Sequence, residues 1–469
     1  MNFGRHIFRS ILFSPRGILV AIVTVAFSLA YGFIAGTGQS DSDISETSSV
    51  LDAQCMSWQD TAAAGKQVLL IGAPKDFTDF PLTIGKSTAL VKSASALTAD
   101  ANSSGITPLV GEGSEVEDIA TVMSVFSDSS SSGGLAVDPC RAPSQDHWFG
   151  GINTQSGRDA FLVLHNPDNA DVVATLSGFT ADGEISLGES SRVLVEAQSE
   201  LVIDIARAAP ALSSVTIAVH VIDGRLATSM QLSAVQGVSN LGRTFVTPVS
   251  QGAKEIFFAG IRGEVVDPQL HIVSTKGDGF FDMTLHSDEG TFEVAEFTGV
   301  ELRSNVLKTI DLDEVLVGQK AGISLTASQP VVAFVSFTIS KSGRNDIEVL
   351  SPNSEIAQSA IALVGTKFEI SALHVLARGE TNISVTAYHK GKLLWSKSTA
   401  FGQDQFKGIA MEGDLPDNAV VEISSSGAEF FATQWIDVEQ ASVGYTSAQE
   451  LGLNSAQQIS SLRIQIRTQ

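Results

Sequence analysis

Residues 215–232, VTIAVHVIDGRLATSMQL, alternate apolar and polar side chains on either side of a turn signal. Val215, Ile217, Val219 and Val221 fall on one face, as the two-residue period of a strand requires, and Asp223-Gly224 supplies the turn. The stretch reads as a β-hairpin with one face buried. A face buried in this way needs a second sheet opposite it. The same pattern returns at 323–339 (ISLTASQPVVAFVSFTI) and 421–436 (VEISSSGAEFFATQWI), with turns expected at Gln329-Pro330 and Ser426-Gly427. A second unit of strand, polar turn, strand and glycine turn precedes each, at 162–183, 270–290 and 373–391. The period is about 100 residues, with enough short strands per period for a two-sheet sandwich.

These repeats predict an all-β chain of tandem immunoglobulin-like β-sandwich domains following a single N-terminal transmembrane helix, over 151–246, 247–345 and 346–446. A β-propeller is the alternative, but no blade-length signature recurs. Residues 51–150 read as an N-terminal β-rich region, and 447–469 as a C-terminal tail with a short helix from Ala448 to Leu462.

The chain begins differently. Residues 1–16 form a basic segment with Arg5, Arg9 and Arg16, and Gly17 to Ile34 carry no charge. Eighteen apolar residues span about 27 Å as a helix, close to the hydrocarbon thickness. Basic residues before and acids after put the N-terminus in the cytoplasm. Residues 17–36 therefore read as a membrane anchor and 37–50 as a polar linker. The alternative is a signal peptide, cleaved after Ser28-Leu29-Ala30, with the body secreted. Beyond the anchor the chain holds 26 basic and 52 acidic residues, a balance that argues against nucleic acid as a partner.

Cys55 and Cys140 are the chain's two cysteines. Outside the cytoplasm a disulfide between them is the default, and their spacing fits no zinc site. The chain has no Gly-x-Ser-x-Gly, Ser-x-x-Lys, His-Glu-x-x-His or P-loop, and its histidines are scattered. His165 and His220, on strands with apolar neighbours, read as structural. No catalytic residue, cofactor or metal ligand is assigned.

From Cys140 the sequence runs Cys140-x-x-Pro143, Asp146-His147-Trp148-Phe149-Gly150-Gly151, Ser156-Gly157-Arg158 and Leu162-Val163-Leu164-His165-Asn166-Pro167, then Asp182-Gly183. This pattern resembles an uncharacterised family of actinobacterial exported, membrane-anchored proteins, a domain of unknown function. The resemblance extends more loosely over most of 50–440. Members of that family look like single-anchor envelope proteins, often encoded beside large membrane glycosyltransferases, which implies a role in cell-wall or surface-glycan assembly and brings no catalytic residues. Trp148 and Arg158 are the candidate ligand or packing site. The expected function is that of a non-enzymatic, membrane-tethered extracytoplasmic scaffold or adaptor. It would sit in the cell membrane as a single-pass protein, with an envelope glycosyltransferase or glycan as partner. The alternatives are a glycan-binding envelope protein, which needs exposed aromatic faces, and an enzyme without a recognisable motif.

Overall fold

The computed structural model describes residues 50–59, 66–100, 106–112, 119–127, 133–316, 318–341, 344–364, 369–411, 413–440 and 443–451. The expected anchor and cleavage site lie outside them, as does the expected linker up to its last residue, Val50, which opens the first strand. Among the described residues no helix is long and apolar enough to cross a membrane.

The chain folds as four copies of one two-sheet unit. The first holds β1 (Val50–Met56), β2 (Lys66–Ala73), β3 (Phe80–Ile84), β4 (Ser87–Val91), β5 (Ser95–Asp100), β6 (Ile106–Glu112), β7 (Ala120–Ser127) and β8 (Gly134–Pro139). The second holds β9 (Asp146–Ile152), β10 (Arg158–His165), β11 (Val172–Thr180), β12 (Gly183–Ile185), β13 (Arg192–Val195), β14 (Glu200–Asp204), β15 (Val215–Val221), β16 (Ala227–Gln236) and β17 (Ser239–Val246). The third holds β18 (Ala253–Ile261), β19 (Val265–Ser274), β20 (Gly279–Ser287), β21 (Gly290–Glu293), β22 (Val300–Leu302), β23 (Leu307–Asp311), β24 (Ala321–Lys341) and β25 (Arg344–Leu350). The fourth holds β26 (Ser359–Leu363), β27 (Glu369–Ala377), β28 (Thr381–His389), β29 (Lys392–Phe401), β30 (Gln405–Ile409), β31 (Val420–Ser425), β32 (Phe430–Gln440) and β33 (Val443–Leu451).

The sheet orders repeat. One sheet of the first unit runs β1-β6-β3-β4 and the other β5-β2-β7-β8; the fourth unit runs β26-β31-β28-β29 and β30-β27-β32-β33. The second unit follows the same plan, with its outer strand divided into β12 and β13. In the third, the 21-residue β24 belongs to both sheets and joins them into one of eight strands. The all-β sandwich expectation therefore holds, and residues 50–139 share the plan of the three later repeats.

The hairpin reading of 215–232 is overturned. β15 pairs with β11 and β9, whereas β16 pairs with β10 and β17, so Asp223-Gly224 lies in a crossover between sheets. Likewise Gln329-Pro330 sits inside β24, at a register shift in its pairing with β18, and Ser426-Gly427 links β31 and β32 in different sheets. Alternation specifies which face of a strand is buried and says nothing about its neighbour. The tail helix is corrected too: Ala448 to Leu451 belong to β33, and residues 452–469 lie outside the described residues.

Each unit has its own core, filled by the inward rows. Val215, Ile217, Val219 and Val221 all enter the core of the second, with Phe149, Leu162 and Leu176. The units also pack on one another in a cycle. Val163 and Ala227 of the second meet Met56 of the first. Phe334 and Val332 of the third join the core of the second. Leu376, Phe406 and Phe431 of the fourth meet Ala259 of the third. Val68, Leu70 and Val122 of the first then close on Ile361, Leu363 and Val420 of the fourth. The four units thus form a closed ring.

Candidate functional site

The last strands of the repeats, β8, β17, β25 and β33, adjoin one another at the centre of the ring. Each is the second strand of a closing hairpin, so the common fold brings four equivalent strands together. The centre is buried yet charged: Asp138, Arg243, Asp346 and Glu348 are all nearly inaccessible. The Asp346 carboxylate accepts from the backbone N–H of Leu135 (3.0 Å) and of Arg243 (2.9 Å), joining three repeats. Two glycines make room for it. A Cβ on Gly242 would lie 2.0 Å from Asp346 Oδ1, and one on Gly134 3.0 Å away. Burial pushes the Asp346 carboxyl well above the usual carboxylate range, and the two N–H donors and Arg243 offset only part of that. Glu348 accepts from Thr244 Oγ1 (2.7 Å). The Arg243 guanidinium lies 5.0 Å from the centre of the Trp58 ring, which meets Phe245 edge-on. Asp138, also raised by burial, is held by a fork from Arg141 (2.7 and 2.9 Å).

A cavity of about 240 Å³ opens beside this centre, between the linkers that follow β17 and β25. Thr247, Ser250, Gln251, Glu255, Ser351 and Asn353 line it, and a separate, much smaller hollow that shares Thr247, Ser351 and Asn353 is lined by Glu348. Asn353 is fully engaged: Oδ1 accepts from the Ala259 N–H (2.6 Å), while Nδ2 donates to Ala432 O and Thr433 Oγ1 (both 3.0 Å). Glu255 is paired with Arg378 (2.9 Å), which also holds Glu355. The space is smaller than typical ligand sites. Its polar groups join repeats, and the Thr247 hydroxyl on its wall donates to Asp138 Oδ1 (3.3 Å).

Cys55 and Cys140 form a disulfide in the core of the first repeat. Trp148 is partly buried and stacks on Phe179 (5.2 Å, 24°), against the core of the second repeat. Arg158 opens β10 in the opposite sheet, and burial lowers its pKa. No hydrogen bond or ring contact joins Trp148 to Arg158 among the described residues. Asn166 organises the turn after β10, donating from Nδ2 to Ala170 O, Val195 O and Glu196 O.

Two histidines connect repeats. His271 is hydrogen-bonded to Ser214 Oγ (2.8 Å) and Ser336 Oγ (2.7 Å), and His286 to Asp404 O (2.9 Å) and Ser324 Oγ (2.8 Å). His165 is bonded to Ser199 O (3.1 Å), whereas His220 is exposed and paired with Asp146 (2.7 Å). His374 is fully buried against Phe406 and Trp435; neither ring nitrogen has a partner among the described residues, and burial drives its pKa down to about 3. Among the described residues no three His, Cys, Asp or Glu side chains group as metal ligands.

A family of unknown function, DUF5719, matches residues 94–405, well over half of the chain. The chain belongs to the DUF5719 family. The DUF5719 match runs from just before β5 in the first repeat to the start of β30 in the fourth, so it leaves out Cys55. No curated protein gives a significant match. Among solved structures, the DUF5719 chain aligns with a tetra-tandem repeat from the extending region of a large adhesion protein. Identity is 11%, coverage 87% of this chain and 100% of the other, and the TM-score 0.09. It also aligns with a Streptomyces avermitilis alpha-L-rhamnosidase complexed with L-rhamnose. Identity there is 9%, coverage 78% of this chain and 54% of the other, and the TM-score 0.12. At these TM-scores neither likeness carries an argument.

Sequence reasoning missed the central acids. Asp346 and Glu348 alternate on β25 as surface acids would. Only the meeting of four final strands turns that row inward.

Proposed function

We propose that this DUF5719 protein is a non-enzymatic, membrane-tethered extracytoplasmic scaffold of a bacterial cell envelope. Its partners would be the machinery that builds surface glycan or wall. The observation that carries this reading is the ring itself. Four sandwiches lock together, and their buried polar groups bond one another across repeat boundaries, as Asp346, His271 and Asn353 do. Such a body offers a rigid outer surface on which partners can be arranged. The Cys55–Cys140 disulfide supports an oxidising compartment. The uncharged stretch 17–34 behind a basic start supports the tether, and the actinobacterial resemblance supports the envelope setting. A glycan platform draws less support, because Trp58, Trp435 and Tyr388 are buried.

The test is chemical crosslinking of intact cells, followed by capture of the full chain in mild detergent. Envelope membrane proteins, glycosyltransferases among them, should be recovered. Capture of the chain alone, or glycan hydrolysis by the purified protein, would overturn the reading.

A further inference from the structure

The outer edge of each repeat ends the sheet that begins with its first strand, and three of the four edges are short or broken. β4 has five residues. β12 and β13 have three and four, with the 3-10 turn Gly188–Ser191 between them. β21 and β22 have four and three, with the turn Ala295–Phe297 between them. Proteins blunt exposed edges in this way because an unpaired strand recruits others. β29 differs: it has ten residues and ends its sheet with no strand beyond it among the described residues.

Two observations give the direction of its main-chain groups. Thr386 Oγ1 and Ser396 Oγ lie 2.9 Å apart, and Ser384 and Ser398 3.4 Å, the close side-chain approach of pairs that exchange no backbone hydrogen bonds. The Ala400 carbonyl accepts from Lys407 Nζ (2.6 Å). Ser396, Ser398 and Ala400 therefore turn their backbone groups away from β28. The segment 389–401 also contains Lys390, Lys392 and Lys397 and no acid, on a chain of net charge -23. Leu393 and Leu394 are 60% and 43% exposed beside them.

We propose that β29 is a docking edge that accepts an extended acidic segment of a partner protein as an added strand. Main-chain bonds to Ser396 and Ser398 supply affinity, and the lysines select acidic strands while repelling a second copy of the same edge. This rests on the scaffold reading and names the surface it would use.

The probe is a fluorescent peptide of alternating glutamate and valine, as long as the ten-residue β29. It is titrated into the purified full chain beside a lysine–valine counterpart. The acidic peptide should bind and the basic one should not. Ser398→Pro removes one outward N–H at an edge position that tolerates proline, and Lys392→Glu with Lys397→Glu reverses the charge while sparing the ladder. Each should weaken binding at least about ten-fold. Absence of binding, equal binding of both peptides, unchanged affinity in both variants, or dimerisation through β29 would overturn the proposal. The assay uses purified protein, so it can fail while crosslinking in cells recovers partners by another surface, and the two failures are distinguishable.

Discussion

The N–H groups of Leu135 and Arg243 both point at the Asp346 carboxylate, in a place water does not reach. Substitution by alanine strands both donors, each worth about 1–3 kcal/mol when buried without a partner. Asp346→Ala should therefore lower unfolding stability by about 2–4 kcal/mol, and Asp346→Asn, which keeps one acceptor, by less; urea midpoints measure both. His374 ties stability to pH. Its folded pKa of about 3 lies below the ordinary 6.5, so the unfolded chain binds more protons between those values and stability falls as pH drops through that window. At pH 5 the loss is about 2 kcal/mol. The raised carboxyls of Asp138 and Asp346 act oppositely, gaining stability as pH falls toward the ordinary carboxylate value. Comparison with His374→Leu isolates the histidine: the variant should lose about 2 kcal/mol less than the parent between pH 7 and 5.

Between elements, the third repeat meets the second where Gly150 of β9 faces Phe334 of β24. A Cβ at Gly150 would lie 2.2 Å from the ring. Gly150→Ala should destabilise strongly. Phe334→Ala alone should cost about 3–5 kcal/mol, and the double variant should cost less than the sum of the two, with a coupling of about 1–3 kcal/mol. Equal additivity in thermal or urea unfolding would mean the two strands do not touch. Part of this packing was legible in the chain. The alternation of Val215 to Val221 gave the buried face correctly, because burial acts on each strand separately. The partner of each strand was not legible. A turn residue such as Gly224 suits a hairpin and a crossover alike, and only the opposing sheet decides between them. Trp148 was similarly open, since a tryptophan beside glycines suits a ligand face as well as a stack on Phe179.

For the whole molecule, the disulfide and the closing contact both restrain the first repeat. The Cys55–Cys140 bond encloses a sequence separation of 85 residues, for which the chain-entropy model gives about 4.5 kcal/mol. Replacing both cysteines by alanine should lower stability by about 2–4 kcal/mol. Hydrogen exchange should then accelerate first in β1 to β8, and next in β26 and β31, which lose their neighbour when the ring opens. Uniform acceleration across all four repeats would show instead that the ring unfolds as one unit. The closure had no local signal: Leu70 and Ile361 read as ordinary strand residues, and nothing near either indicates the other.

That contact carries a cost in time. Val68, Leu70 and Val122 are synthesised long before Ile361, Leu363 and Val420, which cover them in the finished protein. While the later repeats are being made, the first sandwich must carry a bare greasy sheet face, the kind of surface that nascent chains lose to aggregation or entrust to a chaperone. Assembly therefore ends with its most distant contact in sequence, and the final step should be slow.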